Sequence, residues 1–367
     1  MEEEKGRQKV KRMGGRIELA EDLVENILVR LSVKSLIRFK CVDRSWDVLF
    51  KTPAFIINHL QIHRNQDTIM FSHTDLGKWL ILNKNSKLLF TPETYYTILI
   101  LKRWMVMAYP TDYAIATEFL ASVLCLWNPA TIEVKVVPPP PMPSRSRSYV
   151  LYFGFGAGPN SNDLKVVNLI TYYKNDHPPY AVLYNLITNS WTCITIDTVP
   201  VDAIPRCFNP KGFVANGVCY WIQTGYMYEE INENLISFDF RNNQFHLLKR
   251  PPTSIGHYKD FITEVNGSTV YLVHCNYYFL DHDYKIEIWI LEEDKWTKKH
   301  TVPPFKYLVD GLYAIWKGGT EFIGLHTSAP TFASFNSVSQ VISDLAVSKT
   351  FLNVVHRYVE SIVSLSF

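Results

Sequence analysis

The chain has 367 residues, 47% of them hydrophobic and 20% charged, with a formal net charge of +2 when histidine is neutral. That balance excludes the global positive field by which nucleic-acid binders gather phosphate, and the apolar share is that of a soluble globular chain with room for a small module and a larger domain. An aromatic share of 14% favours sheets over helical bundles.

Residues 1–16 are basic and read as a disordered tail. Residues 17–60 read as a small helical module. From residue 21 the apolar side chains Leu23, Val24, Ile27, Leu28 and Leu31 recur at the spacing of one helix face. Glu21, Asp22 and Glu25 stand in the first turns, where the helix dipole favours negative charge. Ser32 and Val33 interrupt the stripe, Ser35 is the expected cap of a second helix, and Leu36, Phe39 and Val42 follow at three-residue steps on its inner face. Trp46, Leu49 and Phe50 give a third apolar patch. Thr52 and Pro53 start a fourth helix carrying Phe55, Ile56 and Leu60. Four helices in about forty residues enclose too little core to stand alone. The sequence offers no metal-ligand cluster here, so an external partner is the expected support.

After Leu60 the period changes to that of strands. Five pairs of large residues recur at an offset of seven: Trp127 and Val134, Tyr184 and Trp191, Phe238 and Phe245, Trp289 and Trp296, Phe335 and Ile342. Polar turn residues separate the members of each pair, so each pair reads as a hairpin with its large residues facing one another. The first members stand 57, 54, 51 and 46 residues apart. A period of about fifty is one four-stranded propeller blade. Asn216-Gly217 and Asn266-Gly267 mark further two-residue turns. Residues 61–126 should hold the first blade, with Met70, Trp79, Leu80 and Leu82 in strands, and the Pro-rich run at 138–148 reads as an exposed inter-blade loop. The expected fold is α+β and multidomain: the helical module followed, over 61–367, by an all-β propeller-like domain of about six blades.

The run EDLVENILVRLSVKSLIRFKCVDRSWDVLFKTPAFIINHL resembles the F-box of plant substrate receptors, which docks on a Skp-type adaptor held by a cullin ubiquitin-ligase scaffold. The resemblance implies that Leu23, Val24, Ile27, Leu28, Leu31, Val33, Leu36, Phe39, Val42 and Trp46 face the adaptor. Ala20 and Ser32 stand where the family usually has proline, and Asp43 replaces a small or sulfur-bearing residue. LWNPAT, FGFGAGPNSNDLKVVNL, YNLITNSW, NGVCYW, IEIWILEEDKWTKKHTV and YVESIVSL resemble the F-box-associated domain, most of all that of the S-locus F-box group of pollen. Members of that group capture secreted pistil ribonucleases and mark non-self ones for ubiquitylation. Residues 91–124 depart most from the group, lacking its Cys-x-Gly turn.

Catalytic chemistry finds little footing. Gly154, Gly156 and Gly158 lack a Walker lysine and a following helix, and read as a strand-turn. His274, Cys275 and His282 do not have zinc-ligand spacing. No catalytic, cofactor or metal residue is therefore assigned, and the protein is read as a non-catalytic receptor. Aromatic residues beside carboxylates suggest two surfaces for a basic protein substrate: Tyr226, Tyr228, Glu229, Glu230 and Glu233, and Tyr277, Tyr278, Asp281 and Asp283. Six cysteines without a CxxC pair and charged first residues lead to a cytoplasmic expectation, with neither nucleic acid nor membrane as partner. The alternatives are an S-locus-like paralogue with another substrate, an interaction protein whose F-box has decayed, and a kelch-type enzyme.

Overall fold

A computed structural model describes residues 12–13, 16–17, 19–63, 68–73, 78–82, 88–90, 105–106, 124–141, 149–158, 163–172, 178–200, 204, 212–222, 234–252, 258–265, 268–275, 284–305, 308–326, 329–348, 354–358 and 360–365. Near the N-terminus, β1 (Arg12–Met13) and β2 (Arg16–Ile17) pair antiparallel, and the rest of the tail expected to be disordered lies outside the described residues. Gly14 and Gly15 lie between them in sequence, the composition of a two-residue hairpin loop.

Four helices follow, α1 (Glu21–Leu28), α2 (Val33–Phe39), α3 (Arg44–Leu49) and α4 (Pro53–His63). Ser32, rather than Ser35, caps α2: its Oγ accepts from Ser35 N at 3.4 Å. The helix consequently begins earlier than expected and takes in Val33. Asp43 Oδ1 accepts from Ser45 N at 2.8 Å and opens α3. Thr52 Oγ1 accepts from Phe55 N at 3.3 Å, with Pro53 as the first residue of α4. Ala20 and Ser32 hold φ at −59° and −62°, the value that a proline ring imposes. Both turns thus keep the shape proline would fix, and Ser32 adds a cap.

Beyond His63 the described strands form six antiparallel sheets, five of four strands and one of three. The first holds β3 (Thr68–His73), β4 (Lys78–Leu82) and β5 (Leu88–Phe90), with β25 (Val354–Tyr358) paired to β3 from far along the chain. The three-stranded sheet holds β6 (Met105–Val106), β7 (Leu124–Asn128) and β8 (Glu133–Val137). Next come β9 (Tyr149–Ala157), β10 (Leu164–Tyr172), β11 (Tyr180–Asn185) and β12 (Ser190–Ile194). The fourth sheet is β13 (Phe213–Ala215), β14 (Val218–Trp221), β15 (Asn234–Asp239) and β16 (Gln244–Lys249). The fifth is β17 (Tyr258–Val265), β18 (Ser268–Cys275), β19 (Tyr284–Glu292) and β20 (Lys295–Phe305). The sixth is β21 (Leu308–Trp316), β22 (Glu321–His326), β23 (Thr331–Asn336) and β24 (Ile342–Ser348). Successive first strands are neighbours: β13 lies against β9 and β17, and β21 against β17 and β25.

Four of the five offset-seven pairs are direct cross-strand partners: Trp127 with Val134, Tyr184 with Trp191, Phe238 with Phe245, and Phe335 with Ile342. The cause is a shared loop. The residue after each first anchor is Asn128, Asn185, Asp239 or Asn336, and its side-chain oxygen accepts a backbone N–H two residues on. Each turn then passes through a left-handed residue: Ile132, Asn189, Asn243 or Gln340. The remaining hairpin breaks the pattern. The residue after Trp289 is Ile290, which has no side-chain acceptor, and Glu293 and Asp294 form a two-residue turn with φ of 49° and 59°. Trp296 therefore pairs with Leu291, and Trp289 with Lys298.

Trp191 and Trp296 have a second role. The indole of Trp191 donates to Pro138 O at 2.9 Å and that of Trp296 to Lys249 O at 2.9 Å. Each thereby ties the outer strand of its sheet to the end of the outer strand before it. Gly154 and Gly156 lie within β9 rather than in a turn, and are required by close approach: a Cβ at either would collide with Cys219 or Phe240 of the adjoining sheet.

Ile132 is the strained member of the loop series. A branched side chain sits at φ 63° and is 70% exposed, so it suffers the left-handed penalty of about 1–2 kcal/mol with little burial in return. Ile132→Asn, the residue used at the equivalent Asn189 and Asn243, should raise stability by about 1 kcal/mol in urea titration. A lower midpoint would show that Ile132 makes compensating contacts.

Candidate functional site

The ten residues expected to face an adaptor divide by depth. Leu28, Val33 and Leu36 are buried, with Val33 and Leu36 at 0% exposure. All three belong to the buried cluster that the helices share with the sheets. Val24, Leu31, Phe39 and Trp46 are half-buried, with the Phe39 and Trp46 rings 5.6 Å apart. Leu23 at 43%, Ile27 at 48% and Val42 at 67% are exposed. Leu23 and Ile27 are one turn apart on α1 and share a face. Three further exposed apolar side chains, Leu19, Val48 and Ile62, escaped the sequence reading. Val48 is only two residues from Trp46, so the three-residue step that selects Leu36, Phe39 and Val42 passes it over.

The support expected from a partner comes in part from the chain itself. Leu28, Val29, Val33, Leu36, Phe50, Phe55, Ile56 and Leu60 of the helical module share one buried cluster with Leu126, Val137, Phe153, Phe155, Leu164 and Val166 of the sheets. Ile362, Val363 and Leu365 complete the cluster. Residues 360–365 form a strap between the two parts. Glu360 Oε2 accepts from Val33 N at 3.2 Å. Asn128 Nδ2 donates to Ser361 O at 2.8 Å and to Val363 O at 3.0 Å. Glu133 accepts from Ser364 Oγ at 2.9 Å and from Leu365 N at 2.7 Å.

His59 lies inside the helical module, fully buried. Its Nε2 donates to Leu31 O at 3.0 Å, and its ring is 4.1 Å from that of His63. Burial holds the imidazole down from 6.5 to about 4, with His63 adding to the effect and the Leu31 carbonyl opposing it. The unfolded chain takes up this proton near 6.5 and the folded one only near 4, so stability should decline as pH falls through that window. The contribution is on the order of 3 kcal/mol. Urea titrations at pH 7 and pH 5 should show a steeper loss for the wild type than for His59→Gln; equal losses would remove His59 as the cause.

Both loops expected to meet a substrate, with Tyr226, Tyr228, Glu229, Glu230 and Glu233 in one and Tyr277, Tyr278, Asp281 and Asp283 in the other, lie outside the described residues. So does His282, while His274 and Cys275 fall in β18. Among the described residues, no three His, Cys, Asp or Glu side chains gather as a metal site, and no helix is long and apolar enough to cross a membrane.

Comparison with known proteins gives the arrangement a family. The F-box associated beta propeller domain model matches residues 115–364. An F-box protein of Arabidopsis thaliana is 24% identical over 313 residues, 79% of this chain and 73% of that protein. An F-box/kelch-repeat protein of the same plant is 25% identical over 316 residues, 77% of this chain and 71% of that one. The F-box/WD-40 repeat-containing protein 1 of that plant is 24% identical over 301 residues, 77% and 68% respectively. With a helical module at 21–63 mounted on four-stranded antiparallel sheets and a family match over most of its length, the chain belongs to the F-box proteins that carry an F-box associated β-propeller domain.

Proposed function

We propose that the protein is the substrate-recognition subunit of an SCF-type cullin ubiquitin ligase, acting in the cytoplasm without catalysing bond chemistry. One observation carries the reading. The helical module buries Leu28, Val33 and Leu36 in a cluster with its own chain and leaves the large apolar side chains Leu23, Ile27, Val42 and Val48 exposed, the condition of a surface that awaits a protein. In this reading the exposed side takes the Skp-type adaptor, and Leu28, Val33 and Leu36 hold the module in shape beneath it. The sheets form a six-bladed propeller in which β25 completes the first blade. Tethering then raises the effective concentration of substrate lysines near the ubiquitin-charged enzyme.

The substrate we propose is a basic secreted protein, a pistil S-ribonuclease in a self-incompatibility system. Its support is the resemblance to the S-locus F-box group together with the acidic and aromatic sequence at 226–233. A second reading, an S-locus-like paralogue with another protein target, draws on the similar 24–25% identities to Arabidopsis F-box proteins of several descriptions.

Depth separates the two roles in the helical module. Ile27→Asp should leave the melting temperature close to wild type and abolish capture of a purified Skp-type adaptor. Leu36→Ala should instead destabilise the chain by about 2–5 kcal/mol. Undiminished capture by the Ile27→Asp variant would remove the exposed face from the interface.

Reversal of Glu229, Glu230 and Glu233 to lysine should slow association with a basic ribonuclease and flatten its salt dependence, while adaptor capture is retained. Surface-based kinetics at two salt concentrations read this directly. Unchanged association rates would leave the loop to solvent and direct the search to Tyr277 and Tyr278.

A further inference from the structure

The contacts of the strap at 360–365 are of a different kind from those that hold the sheets together. Asn128 stands at the Asx position of the β7–β8 hairpin, where its Oδ1 accepts from Ala130 N at 3.0 Å. Asn185, Asp239 and Asn336 do the same in other hairpins. Asn128 alone among these four spends its amide on the strap, giving one hydrogen to Ser361 O and the other to Val363 O. Asp239 shows that a carboxylate fulfils the turn role equally well, so the turn explains the oxygen of residue 128 and leaves the choice of amide to the strap. Glu133, the cross-strand partner of Asn128 beside the same turn, accepts from Ser364 and Leu365. Glu360 at the head of the strap reaches the first backbone amide of α2. Between these polar ends, Ile362, Val363 and Leu365 are buried in the cluster shared by helices and sheets. The covalent path from α4 to β3 runs separately, through the polar residues Arg64, Asn65, Gln66 and Asp67.

We propose that the strap is a latch that fixes the orientation of the helical module on the sheet domain, with the Asn128 amide as its catch. Releasing the catch frees the helical module to change its orientation on the sheets and leaves the sheets folded. Every ladder of the sheets, β25 with β3 included, is made without residues 360–365. The Asn128→Asp substitution isolates the catch, because it keeps the turn acceptor and the shape of the side chain. It replaces two donated hydrogens by a carboxylate oxygen facing two buried carbonyl oxygens, an unpaired arrangement that opens the latch.

Two native thiols suit the measurement: Cys41 on the helical module and Cys193 on β12 are both exposed, and Cys219 is buried. In the full chain with Cys125, Cys207 and Cys275 changed to serine, spin labels at Cys41 and Cys193 should give one narrow distance peak by double electron–electron resonance. Asn128→Asp should lose that narrow peak to a broad distribution while the sheet circular dichroism and its melting transition persist. A second chain, ending at residue 359, should broaden the distribution in the same way. A narrow peak retained in both variants would overturn the proposal. Loss of the sheet melting transition in the Asn128→Asp variant would also overturn it, since Asn128 would then be holding the sheet rather than the strap. The measurement contains no adaptor or substrate, so its outcome is independent of the receptor reading.

Discussion

The helices between residues 21 and 63 carry more apolar side chains than the chain itself covers. A module of this size is too small to be stable around its own core, and its inner face resolves the shortfall by sharing a cluster with the sheets and with residues 360–365. That division governs the rest of the molecule. The buried residues join the module to the sheets, and Leu23, Ile27, Val42 and Val48 stay exposed.

The sheets were largely legible because their hairpins reuse one local device. An Asn or Asp after the first large residue takes up the turn amides, and a left-handed residue returns the chain, so the second large residue arrives opposite the first. The offset of seven is the trace of that device in sequence. Its failure at Trp289 and Trp296 has the same origin: the Glu292 hairpin turns in two residues and shifts the register. The tie from Trp191 to Pro138 was invisible, since nothing in the local sequence says which distant carbonyl an indole will find.

For the helical module, periodicity located the apolar stripe and could not assign its depth. Leu23 and Ile27 stay exposed while Leu28, one residue on, is buried, a change of roughly 100° around the helix that a list of apolar positions does not resolve. Leu36 was expected at an interface and lies in the interior because the strap and the sheets occupy the space beside it. That neighbour could not be foreseen, because Asn128 meets Ser361 across a separation of 233 residues. Ala20 and Ser32 stand where the resembled family usually has proline, and both backbones adopt a proline-like φ. Composition registered the missing ring and carried no information on the angle.

The pairing of β25 with β3 has a consequence for synthesis. A ribosome releases the helices first, then the partners of β25, then nearly three hundred residues before β25 itself emerges. Sheets such as β9 to β12 can form from contiguous chain as they appear, whereas the first sheet and the seat of the helices wait for residues 354–365. Until then the first sheet lacks its fourth strand, and the cluster shared by helices and sheets lacks Ile362, Val363 and Leu365.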